Sequence, residues 1–311
     1  MERIQIENKQ EPSLLDSVGN TPLLPLRRIG AHLPESVRLY AKAEWLNPAG
    51  SVKDRPATYI IRQALEQGEL TDGRHLLDST SGNMGIAYAT YAAHLGIPVT
   101  LAITANASRE RLSILRALGA DLRLSDPLEG FDGAIHLARE IEEAEPQTYH
   151  YANQYANEAN WRAHYETTGP EIWNQSQGQI SHFVVGLGTS GTLMGVGAFL
   201  KEQSPNMHIT AFQPDGPIHG IEGLKHMASS IVPAIYDPEL ADDNRTISSE
   251  EAYAMTRRLS REEGLFVGVS SGASAAMALQ VAERLDEGVV VTLFPDAGYK
   301  YLSEPFWGIE Q

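Results

Sequence analysis

Apolar positions along the chain follow two rhythms in turn. Short runs such as Val99-Thr100-Leu101-Ala102-Ile103 and Val289-Val290-Val291-Thr292-Leu293-Phe294 have the length and β-branched content of buried strands. Between such runs, apolar residues recur at three- and four-residue spacing, as amphipathic helices require. In chain order the pattern predicts a strand at 75–78 and a helix from Ile86 to His94, stopped near Gly96. A strand at 99–103 follows, then a helix from Ser108 to Leu118 with Gly119 as its C-cap. Next come a strand at 122–124 and a helix from Ile135 to Glu143. The rhythm resumes after residue 180 with a strand at 183–185, a helix from Leu193 to Lys201 and a strand at 208–212. A helix from Glu250 to Glu263, a short extended piece at Phe266-Val267, a helix from Ala273 to Arg284 and the strand at 289–294 complete it. Such alternation predicts an α/β chain with mostly parallel sheets.

Two stretches break the rhythm. Residues 147–160, rich in Tyr, Asn and Gln, read as a crossing between two α/β units. Residues 215–244, with three prolines, read as a long loop, and a long loop in a compact domain is often functional.

Composition narrows the field. A chain of 311 residues, 42% hydrophobic and 21% charged, has room for one large or two modest domains. Lys plus Arg number 24 against 40 Asp plus Glu, a formal net charge of −16. That argues against a nucleic-acid backbone or an anionic membrane as partner, yet leaves room for a local basic pocket. With no cysteine there is no disulfide, no thiolate metal site and no thiol nucleophile. No apolar run is long enough to span a membrane, and the start, Met1 to Glu7, has no signal-type core. A cytoplasmic protein is the expectation.

The candidate chemistry begins at Asn47-Pro48-Ala49-Gly50-Ser51-Val52-Lys53-Asp54-Arg55, a turn-rich loop running into a helical pattern. A lysine at that junction is partly screened from water and close to a helix start. Both effects favour the neutral amine, the form that makes a Schiff base. Most lysines are simply solvated, so Lys53 gains meaning only from the motifs that follow.

Three of those motifs sit between a strand and a helix. Ser79-Thr80-Ser81-Gly82-Asn83-Met84-Gly85 can expose backbone N–H groups to a carboxylate or phosphate, though a plain N-cap by Ser81 or Asn83 explains it as well. Gly186-Leu187-Gly188-Thr189-Ser190-Gly191-Thr192 fits G-x-G-x-x-G, so a nicotinamide dehydrogenase must be weighed. No ribose-binding acid clearly follows the next strand, and a cup for a single phosphate is the alternative. Gly268-Val269-Ser270-Ser271-Gly272-Ala273 could turn a serine hydroxyl to a ring nitrogen or could merely cap a helix. A fourth motif, residues 294–302 from Phe294-Pro295-Asp296 to Lys300-Tyr301-Leu302, lies at a strand's C-terminal end, where ligands of open α/β sheets bind.

Taken together, from Gly19-Asn20-Thr21-Pro22-Leu23 to Tyr301-Leu302-Ser303, these motifs resemble the cysteine synthase (O-acetylserine sulfhydrylase) family of pyridoxal-phosphate enzymes, relatives of cystathionine β-synthase. The resemblance implies the fold of tryptophan synthase β: two three-layer α/β domains with mostly parallel twisted sheets and the cofactor, pyridoxal 5′-phosphate, in the cleft between them. Residues 46–157 would form the smaller, mobile domain, and 1–45 with 158–311 the larger one. Lys53 would carry the cofactor as a Schiff base and act as general acid–base. Asn83 would bond the ring hydroxyl oxygen, Gly188, Thr189, Ser190, Gly191 and Thr192 would hold the phosphate, and Ser270 would face the pyridine nitrogen. Thr80, Ser81, Asn83 and Gln154 would take the substrate carboxylate.

The implied reaction is β-replacement on O-acetylserine or O-phosphoserine with sulfide, through an aminoacrylate. Serine at the ring nitrogen suits that chemistry, since it does not enforce protonation and leaves a weaker electron sink. Cystathionine or diaminopropionate formation is the alternative within the fold. The implied assembly is a homodimer, and some members also bind the C-terminal tail of serine acetyltransferase. Three positions depart from the family's habit. Met84 replaces a frequent Thr, Ser190 replaces a frequent Gly, and Lys225 in the long loop suggests a partner for a phosphate leaving group.

Overall fold

The structure, a computed structural model, describes residues 13–308 apart from positions 81 and 106. Strands β1 (Leu23–Pro25) and β2 (Val37–Ala43) come first, followed by α1 (Asp54–Glu66). Then β3 (His75–Thr80), α2 (Asn83–Leu95), β4 (Val99–Thr104), α3 (Arg109–Ala117), β5 (Asp121–Ser125), α4 (Gly130–Ala144) and β6 (Tyr149–Tyr151) build a parallel four-stranded sheet, ordered β5-β4-β3-β6. Two short helices, α5 (Ala159–Ala163) and α6 (Gly169–Gln175), lead into β7 (His182–Gly186), α7 (Gly191–Gln203), β8 (His208–Pro214), β9 (Asp243–Ile247), α8 (Ser249–Arg258), α9 (Val269–Ala282) and β10 (Gly288–Phe294). These strands join β1 and β2 in a six-stranded sheet, ordered β1-β2-β10-β7-β8-β9, in which β1–β2 is the antiparallel pair.

Topology fixes where a ligand can sit. In the smaller sheet the chain moves from β3 through β4 to β5 on one side, while β6 lies on the other side of β3. In the larger sheet β8 and β9 extend from one side of β7, and β10 lies on the other. The loops after β3 and β7 therefore leave the sheets at reversal points of the strand order, where open α/β sheets have a crevice.

The predicted strands and helices are present, with shifts that have physical causes. α9 starts at Val269 rather than Ala273, because thirteen of its 14 residues are buried and no polar face marks its beginning. The helix predicted to Glu263 is regular only to Arg258, then widens over Leu259–Glu263 and stops at Gly264 in the left-handed region. Gly119 takes a left-handed φ one residue beyond the cap at Leu118. The crossing at 147–160 contains β6, and the long loop after residue 215 ends in β9. β2 escaped the hydrophobic pattern because it buries Lys42.

Lys42 belongs to a buried ionic network that anchors α1. Glu171 takes the Lys42 ammonium at 2.6 Å and accepts Nη1 and Nη2 of Arg55 at 2.7 and 2.8 Å. Glu44, wholly buried just after β2, accepts Nε and Nη2 of Arg55, each at 2.7 Å. Burial alone would raise the pKa of Glu44, but the Arg55 guanidinium outweighs it and holds the carboxyl down to about 2. Because the folded pKa lies below the usual value of 4.5, this stabilisation is complete above about pH 4.5 and is lost as pH falls toward 2. Its size is about 3 kcal/mol. Glu44→Gln is expected to lower the urea-unfolding free energy by about that much at pH 7 and to flatten its fall below pH 4.5. An unchanged acid profile contradicts the assignment.

Candidate active site

Thr80 at the end of β3, Val185 in β7 and Leu293 in β10 line one cleft of about 150 Å³, together with Lys53 from the turn before α1. The flanking residues hold that turn firmly. The Asp54 carboxylate accepts the Ala49 N–H at 2.6 Å, the Ser51 N–H at 3.0 Å and the Tyr91 hydroxyl at 2.5 Å. Lys53 keeps some accessible surface toward the cleft, and its amine has no hydrogen-bond partner among the described residues. Desolvation pushes its pKa down to about 8, against the opposing pull of the Asp296 carboxylate. About one amine in ten is then neutral at pH 7, where an ordinary lysine has far fewer.

Across the cleft, Gly188, Thr189, Ser190 and Thr192 line the wall at the start of α7, and Gly191 is that helix's first residue. The N-cap residue Ser190 makes no side-chain cap to α7, and of the first-turn N–H groups, which lack helical acceptors, Gly191 has a long contact of 3.5 Å to the Thr189 hydroxyl. Ser190 sits at φ +65°, which explains why glycine suits this position, and its hydroxyl turns back to donate to the Thr189 carbonyl at 2.6 Å. A Cβ at Gly188 would run into the Gly223 carbonyl, so the loop is packed to backbone contact. Behind the wall, His164 lies 3.4 Å from the Thr192 hydroxyl, and burial followed by the nearby Arg55 pushes its pKa down to about 3.

On the side of the smaller sheet, Thr80 Oγ1 accepts the N–H groups of Gly82 at 2.9 Å and Gly85 at 3.0 Å. Thr80 therefore serves the start of α2, and Asn83 does not cap it. Ser81 lies outside the described residues. The Asn83 side chain instead bonds Asp296 at 2.7 Å and Lys300 at 2.8 Å. Gln154 lines the cleft and donates one amide N–H to the Ser79 carbonyl at 2.7 Å. Below it, Asp78 accepts the backbone N–H groups of Ser79 at 2.8 Å and Gln154 at 3.4 Å, and burial pushes its pKa up to about 7. Met84 also lines the cleft on this side, and Ser270, at the start of α9, lines it from the larger sheet.

Lys225 is buried in the cleft wall, not exposed on the loop. It reaches Asp132 and the Ile231 carbonyl, each at 3.3 Å, and lies 5.0 Å from the centre of the Tyr155 ring. Sequence reasoning gave no role to Arg111, which pairs with Glu222 and stacks on Tyr301 at 4.7 Å. It also left Asp296 and Lys300 as unassigned members of the fourth motif. Their signal was a pair of charges just after a buried strand, which a surface turn could equally have explained.

A phosphorylated pyridine aldehyde fits these residues. The helix start with its three hydroxyl residues, the desolvated Lys53 amine, and the neutral polar groups of Ser270 and Asn83 all line the same cleft. Comparison with known proteins agrees. The profile of the family described as "Pyridoxal-phosphate dependent enzyme" matches residues 14–296. A protein of Aquifex aeolicus named cysteine synthase is 48% identical over 300 residues, spanning 95% of this chain and 92% of that one. The crystal structure of a cysteine synthase from Entamoeba histolytica superposes with a TM-score of 0.90 at 33% identity, covering 100% of this chain and 95% of that one. An O-acetylserine-dependent cystathionine β-synthase from Helicobacter pylori superposes at 0.89 with 34% identity, covering 99% and 100%.

In the cofactor-free protein, competitive acetylation is expected to titrate Lys53 with a midpoint near pH 8, below the ordinary lysine value. Asp296→Asn removes the anion that supports the ammonium, so the midpoint should move lower still. A midpoint near 10.5, the ordinary lysine value, contradicts the desolvated amine.

Proposed function

The chain belongs to the pyridoxal-phosphate-dependent enzyme family, and we propose that it is a cysteine synthase that replaces the β substituent of an activated serine with sulfide. The observation that carries this reading is the amine of the partly buried Lys53, without a hydrogen bond among the described residues, in a cleft that the glycine- and hydroxyl-rich start of α7 also lines. Pyridoxal phosphate, when bound, supplies an electron-withdrawing ring that acidifies the α-carbon and lets a β substituent depart.

The chain's own residues do the rest. Backbone N–H groups and hydroxyls at Gly188 to Thr192 would take the phosphate, Ser270 would serve the ring nitrogen, and Asn83 would donate to the ring oxygen. Lys53 takes the proton from the α-carbon and returns it after the sulfur has added. Thr80 with its loop and the second amide N–H of Gln154 orient the substrate carboxylate, which holds the α C–H within reach of Lys53. Acetate or phosphate leaves, sulfide enters and cysteine results, so the exchange balances. Residues 46–157 form the smaller unit that closes on substrate. The support for closure is that the contacts of α3 and α4 with the larger unit are polar and separable, Glu110 accepting the Ser303 N–H and hydroxyl at 2.9 Å each and Asp132 meeting Lys225, whereas Arg55 clamps α1 to Glu44 and Glu171 and makes that end the fixed one. A homodimer follows from the family resemblance. No helix among the described residues is long and apolar enough to cross a membrane.

We assign Lys225 to the leaving group. It is a buried cation in the cleft wall with long, replaceable contacts, and a departing phosphate would offer it a stronger one. O-phosphoserine is therefore the expected donor.

The test is cysteine formation from sulfide with each ester, quantified by chromatography. Wild type should prefer sulfide to homocysteine, and Lys53→Ala should lose at least about 10³-fold in kcat. Lys225→Ala should cut kcat/KM for O-phosphoserine by about tenfold or more while sparing O-acetylserine. Equal effects on both esters overturn the role of Lys225, and no cysteine from either ester overturns the function.

A further inference from the structure

Asn83 is held at both ends of its amide. Its carbonyl oxygen accepts from the Lys300 ammonium at 2.8 Å, and its amide nitrogen donates to Asp296 Oδ2 at 2.7 Å. An ammonium can only donate and a carboxylate can only accept, so the two together fix which way the amide faces. Lys300 is 1% exposed and spends its other N–H groups on the carbonyls of Gly50 at 3.0 Å and Ala49 at 3.2 Å. Three acceptors match the three donors of an ammonium, whereas a neutral amine has only two N–H groups. Burial lowers the pKa of Lys300, and Asp296 and Asp54 oppose that shift. Asp296 Oδ2 also accepts the Tyr301 hydroxyl at 2.6 Å, which fixes the carboxylate in turn.

A positive charge on an amide oxygen draws electrons from the nitrogen and makes the remaining N–H a stronger donor. Because Lys300 also grips Gly50 and Ala49, it ties Asn83 to the turn that carries Lys53. Resting on the reading of Asn83 as donor to the cofactor's ring oxygen, we propose that Lys300 and Asp296 are positioning residues that set the direction and donor strength of the Asn83 amide.

The experiment is the visible spectrum of the cofactor-loaded protein, which separates the long-wavelength form with an anionic ring oxygen from the shorter-wavelength form with a neutral hydroxyl. A donor to the oxygen favours the anion. Lys300→Met is therefore expected to lower the long- to short-wavelength ratio about threefold or more. Lys300→Arg, which keeps the charge, should hold the ratio near the wild-type value. The fall on Lys300→Met should vanish when Asn83 is already Ala, since the lysine acts through that amide. Lys300→Gln, which keeps a donor without the charge, is the second variant should the Met protein not fold, and the same fall is expected. If Asn83→Ala lowers the ratio while Lys300→Met and Lys300→Gln leave it unchanged, the positioning role is overturned and the reading of Asn83 stands. If Asn83→Ala itself changes nothing, both are overturned.

Discussion

Lys53, Asp54 and Arg55 stand in a row at the start of α1, and the two that are fully satisfied hold the one that is not. Asp54 and Arg55 are buried and saturated with hydrogen bonds, while the Lys53 amine has none among the described residues. Removing a charge from water is costly unless partners replace the lost solvation. Glu44 and Glu171 outweigh that cost at Arg55, while the 49–51 turn and Tyr91 offset only part of it at Asp54, whose pKa burial still raises. At Lys53 it is left standing, and the amine responds by giving up its proton more easily. Rigid neighbours around an unsatisfied group are how a fold keeps a reactive amine in place without quenching it.

The same contrast distinguishes Lys53 from Lys300 and Lys225. Lys300 has three oxygen acceptors, and Lys225 has Asp132, the Ile231 carbonyl and the Tyr155 ring. Desolvation lowers all three, but only Lys53 lacks hydrogen bonds that favour its charged form. Lys53, Lys225 and Arg111 line the cleft alongside Glu222 in a protein whose net charge is −16. An acidic chain can thus receive an anionic cofactor and an anionic substrate without attracting polyanions in general.

Much of this was legible in the sequence because strands at the sheet centres are apolar and β-branched, and because glycine and hydroxyl residues cluster where the ends of β3 and β7 and the start of α9 line the cleft. The missed elements share a cause. β2 buries a lysine, and α9 is lined with small residues all round, so neither shows the period that its geometry would otherwise impose. Site residues contributed by chemistry at a helix start were visible locally, as with Lys53, Asn83 and Thr189. Those that act through long-range partners were not. No local pattern tells that Lys300 will meet Asn83, 217 positions away, or that Arg111 will pair with Glu222. Such pairs depend on the two sheets facing each other, which is a property of the fold.

The most direct test is to purify the protein with its cofactor, reduce it with borohydride and map the labelled peptide. A pyridoxyl group on Lys53 and on no other residue is the predicted result, because Lys53 alone among the cleft lysines has an amine free of hydrogen bonds among the described residues. A label on Lys300 or Lys225, or a protein that takes up no pyridoxal phosphate, would contradict the account.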